Sequence, residues 1–369
     1  MGENRDVTKV YVLGWTRRKC MEAREYFFRL SYQQYQKGGR EERVRWELEV
    51  IHSVMKLMEQ EKEIYKDKAA ALDESMSKIE LKYSNSMQIE RLIKGIMKKE
   101  SKSYIAQILQ KCWIALWDFP ESKNAQVQTN AFYDGSHLIR INSELVVNVS
   151  RMVWLYTVVL LLEDITSVAD FRDIVSLNTL KNKFLKDIKN DTDEGAAYLQ
   201  ECFLSLDTKK ALNTFVITFY ESALVFIMMH EIGHILELDD QTCEELNIIS
   251  SQSEVSLQEK KIKAEENADL IGHIYSNEYV GEPNFFNMGP ILVVLAISIN
   301  RSAIQIQTDH PSIKNRYESV ESKIFDGKNP MDIIHTRKLL YKMNRELQNE
   351  GCWNDEDKNW WMNMIGKVE

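Results

Sequence analysis

The chain has 369 residues, is 44% hydrophobic and 28% charged, and carries a net charge of −9. Such values describe a globular protein able to bury a substantial core, and the acidic balance speaks against nucleic acid as its main partner, since phosphate binding needs a basic surface. Five cysteines, Cys20, Cys112, Cys202, Cys243 and Cys352, are odd in number and never form a Cys-x-x-Cys pair; this excludes a cysteine-based metal site by spacing and suits reduced thiols in a cytoplasmic protein.

The start, Met1–Asp6, is polar, so no secretory leader is expected, and Asp6 stands where a myristoylation signal prefers Ser or Thr. From Lys19 to Lys111 the periodicity predicts successive amphipathic helices over Glu22–Tyr35, Glu41–Lys66, Ala69–Tyr83 and Ser86–Lys111, with Gly38-Gly39 breaking the first two. Residues 1–111 therefore read as a helical region, a lid or a docking surface for a partner or regulator, with a coiled-coil arm as the sharper alternative. The texture changes at Asp118-Phe119-Pro120. Asp134-Gly135 is then a turn signal ahead of His137–Asn142, whose alternation predicts a short hairpin with one exposed strand.

Helices are predicted over Val146–Leu162, Leu177–Lys189 and Lys209–Leu238. Three stretches raise the question of a membrane span: Val146–Leu162, Phe215–Met229 and Ile291–Ile299. The first holds Asn148 and Arg151, the second holds Glu221, and the third is too short to cross a bilayer. Buried core helices, and no membrane span, are the expectation.

The long third helix ends in His230-Glu231-Ile232-Gly233-His234, an HExxH pattern. Two histidines four apart project from one helix face, so both imidazoles can reach one metal ion, and Glu231 is placed to act on a water there. Histidines on an apolar helix are more often satisfied core residues, so the site depends on a third ligand. Gly three residues and His six residues past His234 would mark a metzincin; Glu237 and Asp240 stand there instead. Glu265 is the stronger candidate, in Ala264-Glu265-Glu266-Asn267-Ala268-Asp269. Glu265 and Asp269 are four apart and share a face, so one carboxylate can bind the ion while the other accepts the free N–H of a ligating histidine. Glu266 is the runner-up, about 100° away around the helix, and a solvated acidic surface is the bland reading of the whole stretch.

These stretches resemble, in order, those of gluzincin metallopeptidases, in particular the CAAX-prenyl-protease and HtpX-type enzymes and the soluble Lit-type phage-exclusion peptidases. Asn130-Ala131-Phe132 with Ile139-Arg140-Ile141 resembles the Asn-Ala-Phe edge-strand motif. His230–His234 with Glu265-x-x-Ala268-Asp269 resembles the HExxH and ExxAD pair, and Asp309-His310-Pro311-Ser312 with Arg316 resembles the His-Pro-Ser-x-x-x-Arg motif. The likeness covers roughly Ala125 to Val320. It implies Glu265 as third ligand to one Zn²⁺ per chain, Asp269 as the partner behind the ligands, and His310 and Arg316 near the cleft, where His310 donates to the developing oxyanion. The spanning helices of the membrane enzymes are not found.

The expected fold is α+β and mostly helical: a helical region over 1–111, a zincin-like peptidase core with a small edge sheet over 112–345, interrupted by a helical insertion at about 146–208, and a tail over 346–369 packing on the core. The expected activity is hydrolysis of a protein or peptide substrate by a soluble zinc endopeptidase, with Glu231 as general base. Asn130, His137, Ile139 and Ile141 would bind the substrate backbone along the edge strand. By resemblance, the role would be anti-phage defence in a bacterium. The alternatives are a non-catalytic helical interaction protein with a structural or vestigial zinc site, and a peptidase that cleaves a transcriptional repressor.

Overall fold

The computed structural model describes residues 92, 95–96, 104–116, 125–128, 136–165, 171–236, 257–281, 286–299, 311–353 and 360. The helices expected over Glu22–Tyr35, Glu41–Lys66 and Ala69–Tyr83 lie outside these residues, as do Asn130 and His310. The described chain is mostly helical and falls into two compact units, Met1–Ser143 and Glu144–Glu369. The expected division after residue 111 thus differs from the observed one, because the small sheet belongs to the first unit.

In that unit α1 (Tyr104–Lys111) runs directly into β1 (Cys112–Leu116), followed by β2 (Ala125–Gln128) and β3 (His137–Ile141). The strand order is β1-β3-β2, with β1 parallel to β3 in the register Ile114↔Ile139 and β2 antiparallel to it in the register Val127↔Ile139. The hairpin expected before Asn142 is therefore present as β2–β3. Two expectations are corrected. β3 is the central strand, so both its backbone edges are already paired and His137, Ile139 and Ile141 offer no free edge to a substrate. Nor is it the exposed strand that was expected: Leu138 and Ile139, on opposite faces, are both fully buried.

The second unit opens with α2 (Ser143–Ile165), which is apolar around its whole circumference and is correspondingly buried from Val146 through Leu161 on most sides. It is followed by α3 (Phe171–Asn190), α4 (Glu194–Glu201) and α5 (Leu206–Ile235). Trp154 of α2 stacks on Phe184 of α3, and Tyr156 meets Phe219 of α5 edge-on. The segment expected as a helical insertion at about 146–208 thus contributes buried side chains to the core of its unit. Buried Arg151 pins α2 to the α3–α4 turn, donating to Asp191 Oδ1 at 2.7 Å, to Thr192 O at 2.8 Å and to Asp193 Oδ1 at 3.1 Å. Asp191 takes a positive φ there, a conformation that Asp tolerates.

α5 runs about 45 Å at 1.5 Å per residue, and its second half is buried nearly all round. Ser205 caps its start, its Oγ accepting from Thr208 N. Across α5 lie α6 (Leu257–Val280) and α7 (Gly289–Ser298), and α8 (Ile313–Phe325) packs on both of these. α9 (Pro330–Glu350) returns to α3, where Lys181 pairs with Glu346 at 2.9 Å, and it ends at Gly351 in the left-handed region. The helix passes through the expected tail boundary at 345, and the residues after it, Cys352 and Trp353, are buried. The segments Glu144–Glu163 and Leu206–Ile235 are each long and apolar enough to cross a membrane, and 78% and 61% of their apolar windows are buried inside the protein.

Asp187, 1% exposed, accepts from Thr192 Oγ1, Glu194 N and Gly195 N at 2.6–2.8 Å and so caps α4. Replacing it strands the buried Gly195 N–H and removes the partners of Glu194 N and Thr192 Oγ1. Asp187→Ala is expected to destabilise the protein by about 3 kcal/mol, read as a lower midpoint in urea with an unchanged slope.

Candidate metal centre

HExxH lies at the C-terminal end of α5, where a long helix buried on every side holds its side chains in fixed rotamers. His230 and Glu231 are 7% and 5% exposed, and the His234 side chain is 21% exposed. α6 presents Glu265 to them. Its Oε2 lies 3.5 Å from His230 Nε2, its Oε1 lies 3.4 Å from His234 Nε2, and the two Nε2 atoms are 3.2 Å apart. All three ligand atoms lie within 4.8 Å of one another, so His230, His234 and Glu265 could together hold a metal ion.

The spacing is compatible with that use. A tetrahedral ion bound at about 2.0–2.1 Å keeps its ligand atoms about 3.3–3.4 Å apart; the two Nε2 atoms, 3.2 Å apart, have nearly that spacing, and Glu265 approaches each ring through a different oxygen. Direct N–H···O bonds would have closed to about 2.9–3.0 Å. Glu266, the alternative ligand, is exposed, because one residue along α6 turns the side chain about 100°.

Behind the ligands stands Asp269, 1% exposed, with Oδ1 2.9 Å from His230 Nδ1. A nitrogen facing a carboxylate carries the proton, which leaves the Nε2 lone pair of His230 directed at the shared point. Arg316 of α8 completes the chain of contacts, donating from Nε to Asp269 Oδ2 at 2.9 Å and from Nη2 to Oδ1 at 2.5 Å. Burial alone would raise the Asp269 pKa. The Arg316 guanidinium and the His230 hydrogen bond outweigh burial and hold the carboxyl well below the usual range. The same pair keeps Arg316 charged against its own burial. Burial pulls His230 down, but its bond to Asp269 raises it overall. Burial and the charge of His230 push His234 down to about 4 although Glu265 beside it acts the other way, so its ring is neutral at neutral pH. The charge of Glu231 bears on both His230 and Arg316.

The close approach of α5 and α6 makes these contacts reachable. A Cβ on Gly233 would lie 2.8 Å from Ala268 Cα, and one on Gly272 would lie 2.8 Å from the Phe226 carbonyl oxygen. Two helix backbones meet here with no room for a methyl group between them. Gly233 sits inside the HExxH and Ala268 between the two carboxylates, so the contact falls at the site itself. Sequence reasoning missed Gly233, Ala268 and Gly272 as positioning residues. The signal was a glycine in mid-helix, which costs about 1 kcal/mol unless packing requires it.

The structure thus brings together His230, Glu231, His234, Glu265, Asp269 and Arg316 from three helices of one unit. His137, Ile139 and Ile141 belong to the other unit. Compared with protein-family models, with curated proteins and with solved structures, the chain has no match in any of the three.

Two outcomes test the geometry. Asp269→Asn keeps the volume but removes the charge that fixes the His230 tautomer, and is expected to weaken metal binding about 10–100-fold, measured by competition with a chromogenic chelator. Gly233→Ala, which would stabilise an ordinary helix, is expected here to destabilise by about 1–3 kcal/mol and to lower metal affinity as well. A rise in melting temperature would contradict the close helix contact.

Proposed function

We propose that the protein is a zinc-dependent endopeptidase with a zincin-like catalytic centre, acting on an exposed loop or unfolded segment of another protein. The observation that carries this reading is the convergence of two imidazoles and one carboxylate within 4.8 Å of one another, with Glu231 beside them in the HExxH. Two neutral nitrogens and one carboxylate oxygen are a donor set that suits zinc and leaves a fourth position open, as a catalytic rather than a structural site requires. When bound, the ion supplies Lewis acidity, lowering the pKa of a water and polarising a carbonyl.

The remaining work falls to side chains. His230, His234 and Glu265 would hold the ion, and Asp269 orients His230 through Nδ1. Arg316 keeps Asp269 ionised, so that it remains an acceptor. Glu231 takes the proton of the attacking water on its carboxylate and passes it to the leaving amine, the role that its position next to His230 and its burial favour. Among the described residues Cys112, Cys202 and Cys352 form no disulfide, in keeping with a reducing, cytoplasmic setting. The defence role implied by the Lit-type resemblance is carried here as part of the proposal.

The test compares cells expressing the wild-type chain with cells expressing Glu231→Gln. New protein N-termini are expected only with the wild type, while both purified forms bind about one zinc per chain. Identical N-termini from the two forms would leave the three ligands a binding or structural site and end the peptidase reading.

A further inference from the structure

About two turns from the metal ligands along α5 and α6, a second set of polar side chains lies where these helices meet the start of α7. Ser222 is on α5, His273, Ser276 and Asn277 are on α6, and Asn287 stands just before α7; all are buried except the half-buried Asn277. None of them has a part in the proposed hydrolysis. Ser222 Oγ donates to Asn287 Oδ1, which also accepts from Gly289 N at 3.3 Å. Asn287 Nδ2 donates to Asn277 Oδ1 at 2.8 Å and to Ser276 Oγ at 3.3 Å. Asn277 Nδ2 faces His273 Nε2 at 2.9 Å, and Ser276 Oγ donates to the His273 carbonyl at 2.9 Å.

Two backbone groups fix the direction of this chain of bonds. Gly289 N–H can only donate, so the Asn287 atom facing it is the oxygen. The His273 carbonyl can only accept, so Ser276 gives it the hydroxyl proton and accepts from Asn287 on its other side. Asn287 is thus oriented twice over, with Nδ2 toward α6. Asn277 must then turn its oxygen to Asn287 and its nitrogen to His273, whose Nε2 accepts. The neutral His273 ring carries its proton on Nδ1. Burial and the charge of Lys323 on α8 push its pKa down to about 4, so the ring stays neutral at neutral pH. Nδ1 is buried and has no acceptor among the described residues. A buried donor left unmatched is costly. A leucine at 273 would avoid that cost, but it could not accept from Asn277.

We infer that His273, Asn277 and Asn287 are positioning residues of the metal centre, an inference that rests on reading His230, His234 and Glu265 as its ligands. Glu265, Asp269, His273 and Asn277 follow one another at intervals of four along α6, so a rotation that moves the first two moves the last two with them. Ser222 lies eight residues before His230, and His273 eight residues after Glu265, which is about 12 Å along each helix. Apolar contacts between helices tolerate a small rotation, whereas hydrogen bonds weaken steeply with angle. The glycine contacts set how closely α5 and α6 approach. The polar chain sets the rotation at which α6 presents its carboxylates.

The test compares His273→Leu with His273→Gln in the full-length chain. Glutamine brings an amide oxygen that can accept from Asn277; leucine fills the space and cannot. At neutral pH His273→Leu is expected to weaken zinc binding about tenfold, measured by chelator competition, and His273→Gln to restore most of it. A packing role predicts the reverse order, since leucine suits a buried site better than an amide. Imidazole NMR spectra of the zinc-free wild type, with the His273 signals assigned by their loss in His273→Gln, are expected to place the proton on Nδ1. Unchanged zinc affinity in His273→Leu, equal weakening in both variants, or a proton on Nε2 overturns the inference alone. A wild-type chain that takes up no zinc removes the metal reading, and the inference with it.

Discussion

The contact on which the rest of the site depends is the approach of α5 to α6 at Gly233 and Ala268. With the Gly233 Cα almost against the Ala268 backbone, the helices lie closer than side chains with even one methyl on each face would allow. At that separation a glutamate on α6 reaches two histidines on α5, and an aspartate one turn later meets the back of His230. Gly272 against the Phe226 carbonyl repeats the contact one turn on, and Gly289 brings the start of α7 to within 2.6 Å of Ala223 N, measured from a Cβ built on the glycine. Three tight contacts along one helix leave α5 little freedom to rotate, and rotation is the motion that would disperse the ligands.

Electrostatics then does what packing alone does not. Four ionisable groups, His230, Glu265, Asp269 and Arg316, are buried within hydrogen-bond or ion-pair reach of one another. Left unpaired, a buried carboxylate would take up a proton and cease to be an acceptor. The two-point contact of Arg316 prevents this at Asp269, and that carboxylate in turn sets which nitrogen of His230 carries hydrogen. The arrangement is directional: charge on α8 is passed through α6 to a ring on α5. The α8 helix is therefore part of the site although it contributes no ligand.

At the other end of α5 the surface has a different character. There buried Asp173 of α3 accepts from Ser205 N and Oγ, and Phe203 and Leu206 beside that contact are exposed. One helix thus joins a buried polar centre and a more exposed end, and it passes the length and hydropathy criteria for a membrane span while most of its apolar window is buried.

Much of the second unit was legible in the residues themselves. The α5 span, the HExxH face and the Glu265/Asp269 pair follow from periodicities of three and four, which act within a single helix and need no knowledge of its neighbours. The all-round apolar character of α2 likewise announced a buried helix. What depended on non-local contacts was not legible. Cys112–Leu116 reads as a plain continuation of apolar sequence, and only its parallel pairing with β3 makes it a strand and turns β3 from an edge into the centre of the sheet. The sequence favoured Glu265 over Glu266, but that Glu265 meets the histidines while Glu266 is exposed depends on how α6 is rotated against α5. The bond from Arg316 to Asp269 spans 47 residues of sequence. Helical spacing by itself determined which residues of each helix share a face; the packing of α5, α6 and α8 decided which faces meet, because side-chain reach across a helix interface depends on how closely the backbones approach.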